Sequence, residues 1–109
     1  MSVVSHLING ELVESQRTLD VTNPSTGKVV RQVADASAAD VERAIAAAQA
    51  AFPAWRDTPP AKRAQVMYRF KQLLEEHADR LVQLVSEEHG KTVEDAMGEL
   101  KRGIENVEY

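Results

Sequence analysis

The first third of the chain reads as short β-like runs, and from about residue 37 onward apolar positions recur at helical spacing. Leu7-Ile8 leads into Asn9-Gly10, and Glu11-Leu12-Val13 leads out. Asn-Gly tolerates the two positive φ angles of a tight hairpin turn, so a β-hairpin is expected there. A second hairpin is expected from Leu19-Asp20-Val21-Thr22 and Lys28-Val29-Val30-Arg31-Gln32-Val33, which flank Asn23-Pro24-Ser25-Thr26-Gly27. In that link proline presets a turn φ and glycine can take the left-handed conformation. A lone hairpin is marginal in water, so these strands call for further structure to cover them.

Ser37 is a good N-cap ahead of Val41, Ala44, Ile45, Ala48 and Phe52, and Pro53 is expected to end or kink that helix. Thr58-Pro59-Pro60 reads as a cap with proline in the first turn, opening a helix with Met67, Phe70, Leu73 and Leu74 on one stripe. Near His77-Ala78-Asp79 the stripe changes face, which fits a separate helix capped by Asp79. That helix carries Leu81, Val82, Leu84 and Val85 as far as Gly90 at its C′ position. Thr92, with Asp95 three residues on, makes an approximate capping box for a last helix bearing Val93, Ala96, Met97, Leu100, Ile104 and Val107. No terminal basic turn, capping Gly or Asn, or following Pro closes it, so the pattern predicts a helix that is cut at Tyr109 within a larger fold. The expected organisation is β-hairpins over residues 1–35, then three or four α-helices over 37–109.

Composition narrows the class. With 43% apolar and 28% charged residues the chain is far from the disordered and membrane extremes, and 109 residues make one domain at most or a piece of one. Aromatics are scarce and alanine crowds Ala44 to Ala51, so the helices offer flat packing surfaces that suit further protein. The formal charge of −4 is spread among interspersed signs, which gives no field for nucleic acid. The one basic cluster, Lys62, Arg63, Arg69 and Lys71, runs into Glu75 and Glu76, and Lys71 with Glu75 has the i,i+4 spacing of a solvated face. Met1 to His6 lacks the basic and apolar regions of a secretory leader, and no run approaches the roughly 20 apolar residues of a membrane span. The expected compartment is the cytoplasm. Cysteine is absent, so disulfides, thiolate metal sites and a cysteine nucleophile are excluded from this stretch.

Few residues offer chemistry. His6, His77 and His89 are scattered, with no metal-ligand spacing among them. Gly90-Lys91-Thr92 imitates the end of a phosphate-binding loop, but Val85 stands where the earlier glycine is required and the preceding segment is helical. Glu75-Glu76 and Glu87-Glu88 are adjacent pairs, and neighbours on a helix point about 100° apart, so neither pair is a catalytic dyad. Arg102 differs. It lies between Gly98 and Gly103, which each cost a helix about 1 kcal/mol relative to alanine. Glycine lets a ligand or backbone come close, and the arginine fork matches a carboxylate with two parallel hydrogen bonds. Residue chemistry leaves two readings for Arg102: an ion pair with Glu99, Glu105 or a neighbouring helix, or a ligand carboxylate.

Four segments in this order resemble the amino-terminal region of NAD(P)-dependent aldehyde dehydrogenases: Ile8-Asn9-Gly10-Glu11-Leu12-Val13-Glu14-Ser15, Asn23-Pro24-Ser25-Thr26-Gly27-Lys28-Val29, Ala51-Phe52-Pro53-Ala54-Trp55-Arg56 and Glu88-His89-Gly90-Lys91-Thr92. Within that superfamily, Arg69-Phe70-Lys71-Gln72-Leu73-Leu74, Gly98-Glu99 and Arg102-Gly103-Ile104-Glu105-Asn106-Val107-Glu108 resemble the CoA-acylating methylmalonate-semialdehyde (malonate-semialdehyde) dehydrogenases. Leu12 stands where a tryptophan is common, and Met67-Tyr68 replaces a more usual apolar-aromatic pair.

The resemblance implies an α/β parent enzyme of the aldehyde dehydrogenase fold, with this chain as hairpins and outer helices of its cofactor-binding domain. In such enzymes a thiolate attacks the aldehyde, hydride passes to NAD, and the acyl group is taken by CoA with loss of CO2, yielding propionyl-CoA or acetyl-CoA. The partners implied are the remainder of the dehydrogenase chain, other subunits of a homotetramer and a small semialdehyde. Arg102 matches the arginine associated with the substrate carboxylate. No catalytic, cofactor-binding or metal-ligating residue is expected within these 109 residues, which alone are expected to be inactive. Two other readings stay open: a non-catalytic helical module that docks on a partner, and another dehydrogenase of the superfamily such as one acting on succinate semialdehyde.

Overall fold

The structure is a computed structural model that describes residues 2–109, and the chain divides into two compact units. The first comprises the chain up to Thr22 together with Gly27–Asp57. It holds β1 (Val3–Val4), β2 (His6–Ile8), β3 (Glu11–Val13), β4 (Arg17–Thr22), β5 (Val29–Asp35) and α1 (Ala38–Asp57). Both expected hairpins are present. β2 and β3 are antiparallel with His6 opposite Val13, Leu7 opposite Leu12 and Ile8 opposite Glu11. Their turn has φ 53° at Asn9 and 76° at Gly10, the two positive angles that a two-residue hairpin loop requires. β4 and β5 run antiparallel from Arg17 opposite Asp35 to Thr22 opposite Val29, with a register irregularity between Val21 and Thr22. β1 adds a parallel edge, Val3 opposite Gln32 and Val4 opposite Val33, giving the order β1-β5-β4.

Ser37 caps α1 as expected: its Oγ accepts from the Asp40 N–H at 3.1 Å and its carbonyl accepts from the Val41 N–H at 3.1 Å. Pro53 does not end this helix, which continues to Asp57. Proline removes one donor to the carbonyl four residues earlier, and both Pro53 and Gln49 are exposed, where water can take that carbonyl.

The second unit comprises Asn23–Thr26 and Thr58–Tyr109 and holds α2 (Pro60–Glu76), α3 (Ala78–His89) and α4 (Val93–Glu108). The N-cap of α2 is Pro59 rather than Thr58. Pro59 offers no side-chain acceptor, but its carbonyl accepts from Lys62 N–H at 3.0 Å and Arg63 N–H at 3.1 Å. The break between α2 and α3 falls at His77, not at a cap formed by Asp79. The His77 N–H bonds to the Leu73 carbonyl and its own carbonyl accepts from Leu81 N–H, both at 3.0 Å, so one residue closes a helix and opens the next. Asp79 sits in the first turn of α3, where its charge suits the helix dipole. Gly90 is left-handed at φ 82° with its N–H on the Ser86 carbonyl at 2.9 Å, and Thr92 Oγ1 accepts from Asp95 N–H at 3.2 Å.

Each unit has a thin interior. Among the described residues the buried apolar side chains are Ala34 in the first and Val82 and Ala96 in the second. No helix of the described residues is long and apolar enough to cross a membrane.

Candidate functional site

α4 carries the candidate arginine, and its own sequence decides which way it faces. Ala96 is buried, and Met97, Leu100, Ile104 and Val107 are half-buried, a stripe at helical spacing that packs α4 on α3 and α2. Lys71 of α2 pairs with Glu108 at 2.8 Å and with Glu75 at 3.6 Å, fastening the end of α4. The Glu108 and Glu75 carboxylates hold the Lys71 ammonium above its ordinary pKa. Lys101, Arg102, Gly103, Glu105 and Asn106 therefore face outward and are exposed.

The Arg102 guanidinium lies back along α4, its Nη1 3.8 Å from where a Cβ would stand on Gly98. That is ordinary contact, so alanine would fit at 98, and a Cβ on Gly103 would meet nothing within 4 Å. Packing within this unit thus gives no steric reason for either glycine. Of the two carboxylates on α4 that sequence spacing offered to Arg102, Glu99 pairs instead with Lys91, and Glu105 is not at ion-pair distance from Arg102. Lys91 holds the Glu99 carboxyl below its usual pKa, with smaller contributions from His89 and Arg102. Among the described residues no carboxylate lies at ion-pair distance from the Arg102 guanidinium. Its backbone carbonyl accepts from Asn106 Nδ2 at 3.1 Å, which leaves the side-chain fork unused.

An open apolar groove of about 360 Å³ runs beside Met97, Leu100 and Ile104 of α4 and Ala78 of α3. Glu75, Glu105 and Glu108 outnumber Lys101 on its lining and Arg102 is not part of it, so its net charge is wrong for an anionic ligand.

The first unit holds a polar cluster that sequence reasoning did not assemble. Ser15 Oγ donates to Asp40 Oδ2 at 3.3 Å and lies 2.8 Å from His6 Nε2. Asp40 Oδ2 also accepts the Ser37 N–H at 3.0 Å, and Asp40 Oδ1 pairs with Arg43. These partners, the Ser37 backbone N–H first, hold the Asp40 carboxyl well below the usual carboxylate range. The serine stands between the histidine and the aspartate, whereas an activated nucleophile needs the histidine in the middle. The cluster ties the β2–β3 hairpin to the start of α1 and is no catalytic triad. Ser37 and Asp40 were legible as a capping pair, but His6 and Ser15 carried no signal, being separated from their partners by 9 and 25 residues.

Among the described residues no helix start is built as a phosphate cradle for a dinucleotide. The first turns of α1, α3 and α4 carry Asp40, Asp79, and Glu94 with Asp95, whose charge opposes a phosphate, and α2 opens on Pro59-Pro60, where the N–H donors are missing. Lys91 beside Gly90 is engaged with Glu99 rather than left for a phosphate. His6, His77 and His89 lie on β2, at the α2–α3 junction and at the end of α3, and among the described residues no three acidic or histidine side chains converge on a metal site.

Residues 12–109 match the aldehyde dehydrogenase family. A malonate-semialdehyde dehydrogenase of Pseudomonas aeruginosa is 64% identical over the whole chain, and one of Oceanobacillus iheyensis is 44% identical over 97% of it. The chain spans 22% of the length of each. Among solved structures, a methylmalonate-semialdehyde dehydrogenase from Oceanimonas doudoroffii superposes with a TM-score of 0.96 at 60% identity, covering all of this chain and 22% of that one. A Sinorhizobium meliloti protein provisionally assigned the same activity and complexed with NAD superposes with a TM-score of 0.94 at 42% identity, over 99% of this chain and 22% of that one. With strands followed by four helices that superpose on the start of these enzymes, the chain belongs to the aldehyde dehydrogenase family.

Proposed function

We propose that this chain contributes to an NAD-dependent, CoA-acylating dehydrogenase of malonate or methylmalonate semialdehyde, and that Arg102 binds the substrate carboxylate. The observation that carries the reading is the 64% identity to a malonate-semialdehyde dehydrogenase across the whole chain, α4 included. In the proposed enzyme NAD accepts the hydride and CoA takes the acyl group as CO2 leaves, giving acetyl-CoA or propionyl-CoA. The reacting thiolate, NAD and CoA are held by residues outside these 109, which contain no cysteine and, among those described, no helix start built as a phosphate cradle. The complete enzyme is proposed to be a cytoplasmic homotetramer.

What this chain supplies is orientation. A semialdehyde of this class presents a planar anion one carbon from the aldehyde. Grasping that anion with a bidentate fork limits the approach of the reacting carbonyl to one direction. Arg102 suits the task because its guanidinium is exposed and has no ion-pair partner among the described residues. Its glycine neighbours leave the helix surface low on both sides.

In the complete enzyme, Arg102→Ala is expected to lower kcat/KM for malonate semialdehyde by about 2 to 3 kcal/mol, the scale of a lost charged hydrogen-bond pair. Oxidation of propanal, which has no carboxylate, should change little. An equal loss with both substrates would assign Arg102 to structure.

A further inference from the structure

The chain contains three asparagines, and the fold treats them differently. Asn23 precedes Pro24, and its Oδ1 accepts from the Ser25 N–H at 2.9 Å. Asn106 lies within α4, its Nδ2 donating to the Arg102 carbonyl at 3.1 Å, and the next residue is the β-branched Val107. Asn9 is exposed at the tip of the β2–β3 hairpin with φ 53°, and Gly10 follows it. A Cβ built on Gly10 would meet nothing within 4 Å, so the tip stands open on the side of the nitrogen that follows Asn9.

We propose that Asn9 is a site of spontaneous deamidation, with water as the co-reactant, and that the product loosens the β2–β3 hairpin. The Gly10 backbone nitrogen gives up its proton and attacks the Asn9 side-chain carbonyl carbon. The bond from that carbon to the side-chain nitrogen breaks, ammonia leaves, and a five-membered cyclic imide remains. Water then opens the ring at one of its two carbonyls, giving either an aspartate or an isoaspartyl link that runs through the side chain. The sum is asparagine plus water to acid plus ammonia, with no change of oxidation state.

Sequence and fold together single out Asn9 for this reaction. The proline nitrogen after Asn23 has no proton to lose. The nitrogen after Asn106 is held inside a helix and shielded by the branched Val107 side chain. Gly10 has no side chain to crowd the approach, and a hairpin tip opens more readily than a helix interior.

The consequence follows from register. An isoaspartyl link adds a carbon to the main chain, so the two-residue loop no longer spans Ile8 and Glu11 in their paired positions. Either product also places a new carboxylate two residues from Glu11. Ile8 and Asn9 line an open cleft of about 240 Å³ with Ala44, Ala47, Ala48 and Ala51 of α1, so a displaced tip reshapes that cleft.

The test is to hold the purified chain at mildly alkaline pH and physiological temperature, sampling it over days. Peptide mass mapping reads the amide-to-acid mass gain, enzymatic methylation reads isoaspartyl groups, and hydrogen exchange reads protection across residues 6–13. Conversion is expected in the peptide carrying Asn9, with one ammonia released per amide lost. The peptides carrying Asn23 and Asn106 should keep their amides over the same period, and protection of 6–13 should fall in the converted fraction. An unchanged Asn9, or conversion of Asn106 at the same rate, would overturn the assignment. Unaltered protection in the converted fraction would overturn the structural consequence.

Discussion

Asp40 is buried, yet it remains ionised because every partner around it favours the charge: the Ser37 N–H, the Arg43 guanidinium and the Ser15 hydroxyl. Its carboxyl is held below the ordinary value of 3.8, so the folded state binds its proton more weakly than the unfolded state does. The stabilisation is complete above that ordinary value and is lost as pH falls through the lower folded one. Asp40→Asn should therefore lower the melting temperature at neutral pH and flatten its decline in acid below about pH 4, both read by circular dichroism against the parent chain. An unchanged acid profile would show that another carboxyl governs it. Arg102 stands at the same scale. Its identity and its glycine neighbours were plain in the sequence, but that it has no ion-pair partner among the described residues, Glu99 being engaged by Lys91, was not.

Among the elements, the signals that act over a few residues were the legible ones. Asn9-Gly10, the Ser37 cap, Gly90 and the Thr92–Asp95 pair each work through a backbone angle or a bond to a near neighbour, and each is present. Pro53 lies inside its helix rather than at its end, because a solvated helix surface tolerates a missing donor, and the α2–α3 junction falls at His77 because one residue can serve both helices. The parallel pairing of β1 was illegible, since two valines in a β-like stretch do not say which strand they join, and they gain their place by pairing with Gln32 and Val33. Gly90 yields the prediction proper to this scale. It closes α3 at φ 82°, and a Cβ there would lie 3.0 Å from Pro24 Cγ, part of a rigid ring. Gly90→Ala should thus cost at least the ~1–2 kcal/mol of a left-handed alanine, seen as a lower urea midpoint. No change in midpoint would mean that the turn after α3 relaxes without cost.

At the scale of the molecule, apolar surface left outside is the dominant fact. Leu7 is 72% and Leu12 77% exposed, a cross-strand pair on the uncovered face of its hairpin, and Phe52 and Tyr68 are more than half exposed. The 109-residue chain by itself should therefore bind a hydrophobic dye strongly and form no NADH from malonate semialdehyde, with or without CoA. Weak dye binding by a cooperatively melting monomer would favour the self-contained partner-binding module, and measurable turnover would contradict the proposed division of labour.

Periodicity, caps and turn residues were enough to place both hairpins and the helices, because such signals are satisfied within a few residues of backbone and do not wait for the chain to fold. The resemblance of whole segments was enough to point to the family that the comparisons show. Contacts across longer separations belonged to the fold alone. β1 against β5 and Ser15 between His6 and Asp40 join residues brought together only once helices and strands have packed, and Lys91 reaches Glu99 only once α4 has formed. Which charges are consumed and which are left available, Arg102 among them, is settled at that stage, since an ion pair depends on distance in space rather than position along the chain.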